Sequence, residues 1–136
     1  MSLKDIFQEF TEKDKAAELG GGEKAIEKQK KAGKQTARER IDMLLDDNTF
    51  VEVDKFVLHD SHNYNMQNKR VPGDGVVAGY GKIEGRLVYV YAYDFTVYGG
   101  SLSRTNANKI VKVQKLALKN GAPIIALNDS GGARIQ

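Results

Sequence analysis

The order of elements over residues 87–136 predicts an α/β fold built on parallel strands. An apolar run, Leu87–Tyr93, is followed by an amphipathic segment at about 103–119 and then by a second apolar run, Ala122–Leu127. Strand, helix, strand in that order is a βαβ unit, whose crossover is right-handed and whose strands are parallel. Each run ends in a glycine-bearing turn, Gly99-Gly100-Ser101 and Ser130-Gly131-Gly132-Ala133. Both turns therefore fall at the same sheet edge, where ligands of parallel sheets bind.

The elements before that unit follow from their periodicity. Ile6, Phe7 and Phe10, then Ala16, Ala17 and Leu19, are spaced as one face of an amphipathic helix over 3–19, which Gly20-Gly21-Gly22 ends. A charged helical pattern resumes over 23–32 and stops at Gly33. Thr36, with Glu39 three residues later, is a capping box that opens a further helix, buried through Met43, Leu44 and Leu45 and broken by Asp46-Asp47-Asn48. From Phe50 to Val57 apolar residues alternate loosely with charges, as in a strand. His59–Arg70 reads as a polar excursion loop, and Val71-Pro72-Gly73-Asp74-Gly75 as a turn. Val76–Ile83, the turn Glu84-Gly85-Arg86 and Leu87–Tyr93 form a β-hairpin, its second strand too apolar for a sheet edge. In the crossover helix, Ala107, Ile110, Val111, Gln114 and Leu118 are expected to face inward, with Lys109, Lys112 and Lys119 outside. Asn120-Gly121 is its C-cap, and a last helix is expected to begin at Ala133.

Paired glycines at a strand-to-helix junction leave backbone N–H groups free to point at a ligand, and the helix dipole adds positive potential. Two N–H groups about 3 Å from one oxygen make an oxyanion hole worth several kcal/mol to a developing enolate. A tight turn alone is the better account of either glycine pair taken singly, and their convergence brings the hole level with it. Gly79-x-Gly81-x-x-x-Gly85 misses dinucleotide spacing, and neither a phosphate-binding loop nor a nucleophile elbow occurs. His59 and His62 have no clear third metal ligand, so no metal is expected. Asp94 and Asp129 sit at strand ends as acids, bases or caps, and no nucleophile-plus-base pair is visible.

The chain has no cysteine, no apolar run long enough to span a bilayer and a polar N-terminus, which together exclude disulfides, thiolate metal sites and membrane insertion. A cytoplasmic location is the expectation. The net charge is +3, but residues 23–40 hold seven cations against three acids, and 104–119 hold five cations and no acid. Such clusters suit a polyanion, either a nucleotide or a nucleic acid, or else are solvated helix faces. The run Ala133-Arg134-Ile135-Gln136 is only the start of a helix, so the chain is read as a truncated piece of a longer polypeptide.

Five stretches carry a resemblance: Gly20–Lys24, Gly33–Ile41, Val71–Val77, Asp94–Leu102 and Asn128–Gln136. They are similar to the N-terminal part of the biotin-dependent acyl-CoA carboxyltransferases, the family of the propionyl-CoA carboxylase β subunit and the methylmalonyl-CoA decarboxylase α subunit. The resemblance implies a crotonase-like (ClpP/crotonase) fold of ββα units. Residues 1–48 would be a helical segment with a basic CoA-side loop, and residues 49–136 the first part of the carboxyltransferase domain. It implies that the thioester oxygen of a short acyl-CoA is held by backbone amides, with Gly99, Gly100, Gly131, Gly132 and Ala133 as candidates. Lys30, Lys31, Lys34 and Arg38 are the candidates for the CoA phosphates. It further implies biotin on a separate carrier protein, other subunits of a carboxylase or decarboxylase complex, a homo-oligomeric parent and no nucleic-acid partner. Family members have a second crotonase-like domain, so these residues alone are not expected to catalyse carboxyl transfer. The alternatives are a nucleotide- or RNA-binding module, which needs aromatic platforms such as Tyr89, Tyr91 or Tyr93 exposed beside the cations, or a scaffold domain.

Overall fold

In a computed structural model that describes residues 2–136, three helices lead into a four-stranded sheet crossed by a fourth helix. The helices are α1 (Leu3–Glu18), α2 (Glu23–Lys31), α3 (Ala37–Leu44) and α4 (Arg104–Asn120); the strands are β1 (Val51–Glu52), β2 (Val76–Ile83), β3 (Arg86–Tyr93) and β4 (Ile124–Leu127). The sheet order is β1-β2-β3-β4, antiparallel except for the parallel β3–β4 pair. The expected βαβ unit is present, with β3 interior and Gly121 closing α4 in the left-handed region.

The hairpin register follows from its turn. Glu84 and Gly85 both have positive φ, the signature of a two-residue turn whose twist matches the strands, so Arg86 pairs with Ile83 inside the ladder instead of belonging to the turn. The Asp46 carboxylate accepts from the Glu84 and Gly85 amides at 2.9 and 2.8 Å. Side chains then alternate strictly. Val77, Val88, Val90 and Ala92 pack against Ala37, Ile41 and Leu45 of the α3 region, while Val76, Ala78 and Tyr89 face Ile110, Val113 and Ala117 of α4. The sheet lies between α3 and α4. Gly79 and Gly81 serve this packing, since a Cβ on them would lie 2.1 Å from the Val51 carbonyl and 2.6 Å from Leu45.

Three expectations fail here. Met43 is 71% exposed, and Ile41 and Leu45 bury the α3 face in its place. The Phe50–Val57 strand shrinks to two residues, because Asp54 turns the chain away at φ 57°. The inward stripe of α4 is Asn106, Lys109, Ile110, Val113 and Ala117, one position off the apolar periodicity; Leu118 is exposed and Lys109 buried. The reason is chemical. The first turns of α4 cross the Gly73–Val76 segment, whose Val76 and Gly73 carbonyls accept from the Lys109 ammonium. A polar seam there selects polar residues on the inner face.

The same seam holds a buried ion pair. Arg134 donates to Asp74 at 2.7 Å, with both side chains almost wholly out of water. Asp74 also accepts from the Ser103 hydroxyl, and its backbone carbonyl accepts from Asn106 at 2.9 Å. Arg134 reaches the hydroxyl and carbonyl oxygens of Ser101 at 3.2 and 3.3 Å and lies 4.7 Å from the Tyr98 ring centre. Removing one member of such a pair strands a charge at a cost of about 3–5 kcal/mol. Detaching the terminal segment would cost less. We expect Asp74→Asn to speed amide exchange at Leu102, Gly131 and Arg134 while leaving Val90 protected; unchanged exchange at those three amides would refute the pinning role.

Burial lowers the Lys109 pKa to about 8; the charges of Glu52 and Asp54 oppose the fall and Arg38 adds to it. A folded pKa below the unfolded value means the ammonium is a cost, complete below about pH 8 and gone above the unfolded pKa near 10.5. That cost is on the order of 3 kcal/mol. Between those two pH values the chain should gain that amount of stability relative to Lys109→Met, read from paired urea-unfolding curves, and a pH-independent difference would contradict it.

Candidate functional site

The two glycine turns meet as the topology requires. Gly131 donates to the Gly99 carbonyl, Leu102 to the Gly132 carbonyl and Arg134 to the Leu102 carbonyl, each at 2.8 Å, forming one parallel bridge between Leu102 and Ala133. Approach is close enough to require glycine. A Cβ on Gly100 would sit 2.3 Å from the Asp129 carbonyl oxygen, and the φ of Gly99 and of Gly100 is +63°. Tyr98, just before them, is also left-handed at φ 49°, a strained state for a tyrosine. Its hydroxyl donates to the Lys69 carbonyl and its ring lies against Arg134 and His59, which hold it there.

Among the described residues, Ala133 is bridged and residues 134–136 have no regular structure. The Arg134 guanidinium beside this turn is matched by Asp74.

Hydrogen bonding sorts the five candidate amides. Gly100 N–H is taken by the Val97 carbonyl at 2.9 Å, Gly131 N–H by Gly99, and Gly132 N–H by the Ser130 hydroxyl at 3.1 Å. Among the described residues, the N–H groups of Gly99 and Ala133 have no hydrogen-bond acceptor. For Ala133 this follows from the bridge. Its neighbours Gly132 and Arg134 exchange both bonds with Leu102, so its own N–H points away from that partner.

All four candidate cations are paired. Lys30 binds Glu39 at 2.7 Å and Lys31 binds Glu27 at 2.8 Å, both exposed. Arg38 grips Glu52 with two bonds of 2.6 and 3.1 Å in a half-buried pair that ties α3 to β1. Lys34 reaches the site: it binds Asp129 at 2.9 Å and lies 4.8 Å over the Phe95 ring, so the α2–α3 loop spans both strand exits. Burial raises the Asp129 pKa, but bonds from Lys34 and Gln29 outweigh it and hold the group below its ordinary value, as a carboxylate. Asp94 accepts from the Thr96 amide and hydroxyl at 3.0 and 2.6 Å, a turn-forming role. Thr96 then accepts from Gly21, whose own Cβ would overlap the Thr96 carbonyl, so the triple glycine both ends α1 and seats it on this turn.

Sequence reasoning missed Asp74, Asn106, Tyr98 and Arg134, which build the mount for the turns. Only Asn106 carried a signal, as the third residue after the cap Ser103, where its side chain completes a capping box. The second basic segment is no single face, because Lys109 is buried and Lys112 pairs with Asp54. Tyr89 is 5% exposed under α4 and offers no platform for bases. His59 is buried and His62 exposed; among the described residues no cluster of three potential metal ligands occurs. No helix among them is long and apolar enough to cross a membrane.

Comparison with known proteins agrees with this architecture. The chain is 56% identical over 134 residues to the propionyl-CoA carboxylase beta chain of Cereibacter sphaeroides, covering 98% of this chain and 26% of that one. It is 61% identical over 125 residues to the methylmalonyl-CoA decarboxylase subunit alpha of Veillonella parvula, covering 92% of this chain and 25% of the relative. The fold superposes with a TM-score of 0.98, at 44% identity, on transcarboxylase 12S solved with methylmalonyl-coenzyme A and methylmalonic acid bound, covering all of this chain and 26% of that one. The chain thus spans about a quarter of the length of these relatives. The carboxyl transferase domain profile matches residues 28–136, so the sheet, the crossover and both glycine turns lie within the matched region, and the chain belongs to the carboxyl transferase domain family.

Proposed function

We propose that the two turns are the acyl-CoA half-site of a biotin-dependent carboxyltransferase, which moves a carboxyl group between biotin and the α-carbon of a short acyl-CoA such as propionyl-CoA or methylmalonyl-CoA. The observation that carries this reading is the pair of uncommitted amides, Gly99 and Ala133, on turns otherwise sewn together by their own hydrogen bonds. When the bond from the α-carbon to the carboxyl group breaks, its electron pair passes into the thioester and charge gathers on the carbonyl oxygen. Preorganised N–H groups stabilise that charge without rearranging. In carboxylation the α C–H bond breaks first, its proton leaving to a base that the biotin side of the site would supply, and the same oxygen carries the charge until the α-carbon attacks. Biotin, on a separate carrier protein, supplies or takes up the carboxyl group.

The remaining chain residues bind and orient. Lys34 sits beside the turns, where its ammonium can exchange Asp129 for a CoA phosphate, and Lys30 and Lys31 extend the basic surface. Exposed pairs of this kind are worth about 0–1 kcal/mol, so trading a carboxylate for a phosphate costs little. Arg38 has a structural part, because releasing it would leave Glu52 half-buried and unpaired. The matched relatives support a homo-oligomeric parent, since transcarboxylase 12S is described as a hexamer.

Ala133→Pro tests the assignment, since proline removes an N–H that no other group among the described residues uses. In the polypeptide that carries this segment with the rest of the family's length, kcat for methylmalonyl-CoA decarboxylation should fall about 10²–10³-fold with KM little changed. Turnover at the unsubstituted rate would refute the role of Ala133. For the 136 residues alone, calorimetric titration with propionyl-CoA, methylmalonyl-CoA and free CoA should show the acyl thioesters binding more tightly than CoA; equal affinities would remove the thioester oxygen from the site.

A further inference from the structure

We infer that Tyr98 is a positioning residue whose Cβ locks the Gly99 N–H in its direction by barring the peptide flip that would put a carbonyl in its place. The inference rests on reading the two glycine turns as an acyl-CoA half-site.

Residues 97–100 form a turn closed by the bond from the Gly100 N–H to the Val97 carbonyl at 2.9 Å. Its central residues, Tyr98 and Gly99, have φ of 49° and 63°, which makes it a turn of the type I′ class. The peptide between Gly99 and Gly100 is held at both ends, because its carbonyl also accepts from Gly131 at 2.8 Å. The peptide between Tyr98 and Gly99 is held at one end only. Its carbonyl accepts from the Ser101 N–H at 3.3 Å, and its N–H, on the opposite side of the same planar unit, is the uncommitted amide of Gly99.

Rotating that central peptide by half a turn converts type I′ into type II′ and leaves the Gly100–Val97 bond intact. The rotated turn would show the Tyr98 carbonyl oxygen where the Gly99 N–H now stands, and an oxygen there opposes a developing oxyanion instead of stabilising it. Gly99 can follow the rotation, having no side chain. Residue 98 cannot. The first central position of type II′ is in practice open only to glycine, whereas the left-handed well of type I′ admits a side chain under strain. Tyr98 is kept in that well by its hydroxyl, which donates to the Lys69 carbonyl, and by its ring, 4.7 Å from the Arg134 guanidinium carbon. A glycine at 98 would be free of the strain and equally free to flip. Glycine fills the two positions that follow, so the strained tyrosine is what fixes the amide.

Two variants of the polypeptide that carries this segment with the rest of the family's length separate the Cβ from the ring. Tyr98→Gly removes both, while Tyr98→Asn removes the ring and hydroxyl but keeps a Cβ on a residue that tolerates the left-handed well. We expect kcat for methylmalonyl-CoA decarboxylation to fall roughly tenfold or more in Tyr98→Gly with KM little changed, and to stay within about threefold of the unsubstituted rate in Tyr98→Asn. In the 136-residue chain, Tyr98→Gly should quicken amide exchange at Ser101, whose bond the flip breaks, and leave Gly100 unchanged, because both turn types keep its bond. Equal losses of kcat in the two variants, no acceleration at Ser101, or equal acceleration at Gly100 and Ser101 overturns the inference. If Tyr98→Gly does not fold, Tyr98→Asn decides alone: a retained kcat supports the lock, and a loss of about tenfold overturns it. A loss in Ala133→Pro with none in Tyr98→Gly defeats the lock and spares the acyl-CoA reading. Full turnover in both defeats that reading and the inference with it.

Discussion

The buried contact between Asp74 and Arg134 is the constraint on which the rest of the site depends. It joins a residue from the turn before β2 to one that lies beyond β4, and through Ser101, Ser103 and Asn106 it takes hold of the start of α4 as well. Two charges removed from water are stable only with their remaining bonding capacity filled. Here Asp74 is filled by Ser103 and Arg134 by Ser101, so the position of the second glycine turn follows from that of the first. Pure apolar packing would tolerate sliding; a fixed fork of guanidinium hydrogens does not.

The turns show how a backbone becomes selective without side chains. The N–H groups of Leu102, Gly131 and Arg134 hold the two segments together, those of Gly100 and Gly132 bond within their own turns, and ladder geometry aims the amide of Ala133 elsewhere. Rigidity and availability thus come from a single set of bonds. The close approach of Gly100 to Asp129 and the left-handed Tyr98 are the costs of that arrangement, borne by the interactions of Tyr98 with Lys69, Arg134 and His59.

Much of this was legible in the sequence. The hairpin, the crossover and the convergence of the turns follow from strand alternation and glycine placement, which are local signals. The helical caps at Thr36 and Ser103 are local too. What stayed hidden depends on partners distant along the chain. Lys109 looks like a solvated cation until Val76 and Gly73 are brought beneath it, and Arg134 looks like an ordinary helical residue until Asp74 meets it sixty positions away. The register of α4 is hidden for the same reason, because apolar periodicity assumes an apolar floor, and under the first turns this floor presents the carbonyls of Gly73, Asp74 and Val76. The bridge between Leu102 and Ala133 is hidden for the same reason, since it joins two turns thirty-one positions apart.

Strict alternation along the hairpin has a spectroscopic corollary. Tyr80, Tyr89, Tyr91 and Tyr93 all lie on the sheet face covered by α4, with ring centroids of neighbouring pairs 5.6 and 6.2 Å apart, and the chain has no tryptophan to mask them. Coupled aromatic rings in a fixed, asymmetric setting dominate near-ultraviolet circular dichroism. The crossover helix therefore comes with a built-in optical reporter, in which seating of that single element can be followed without any introduced probe.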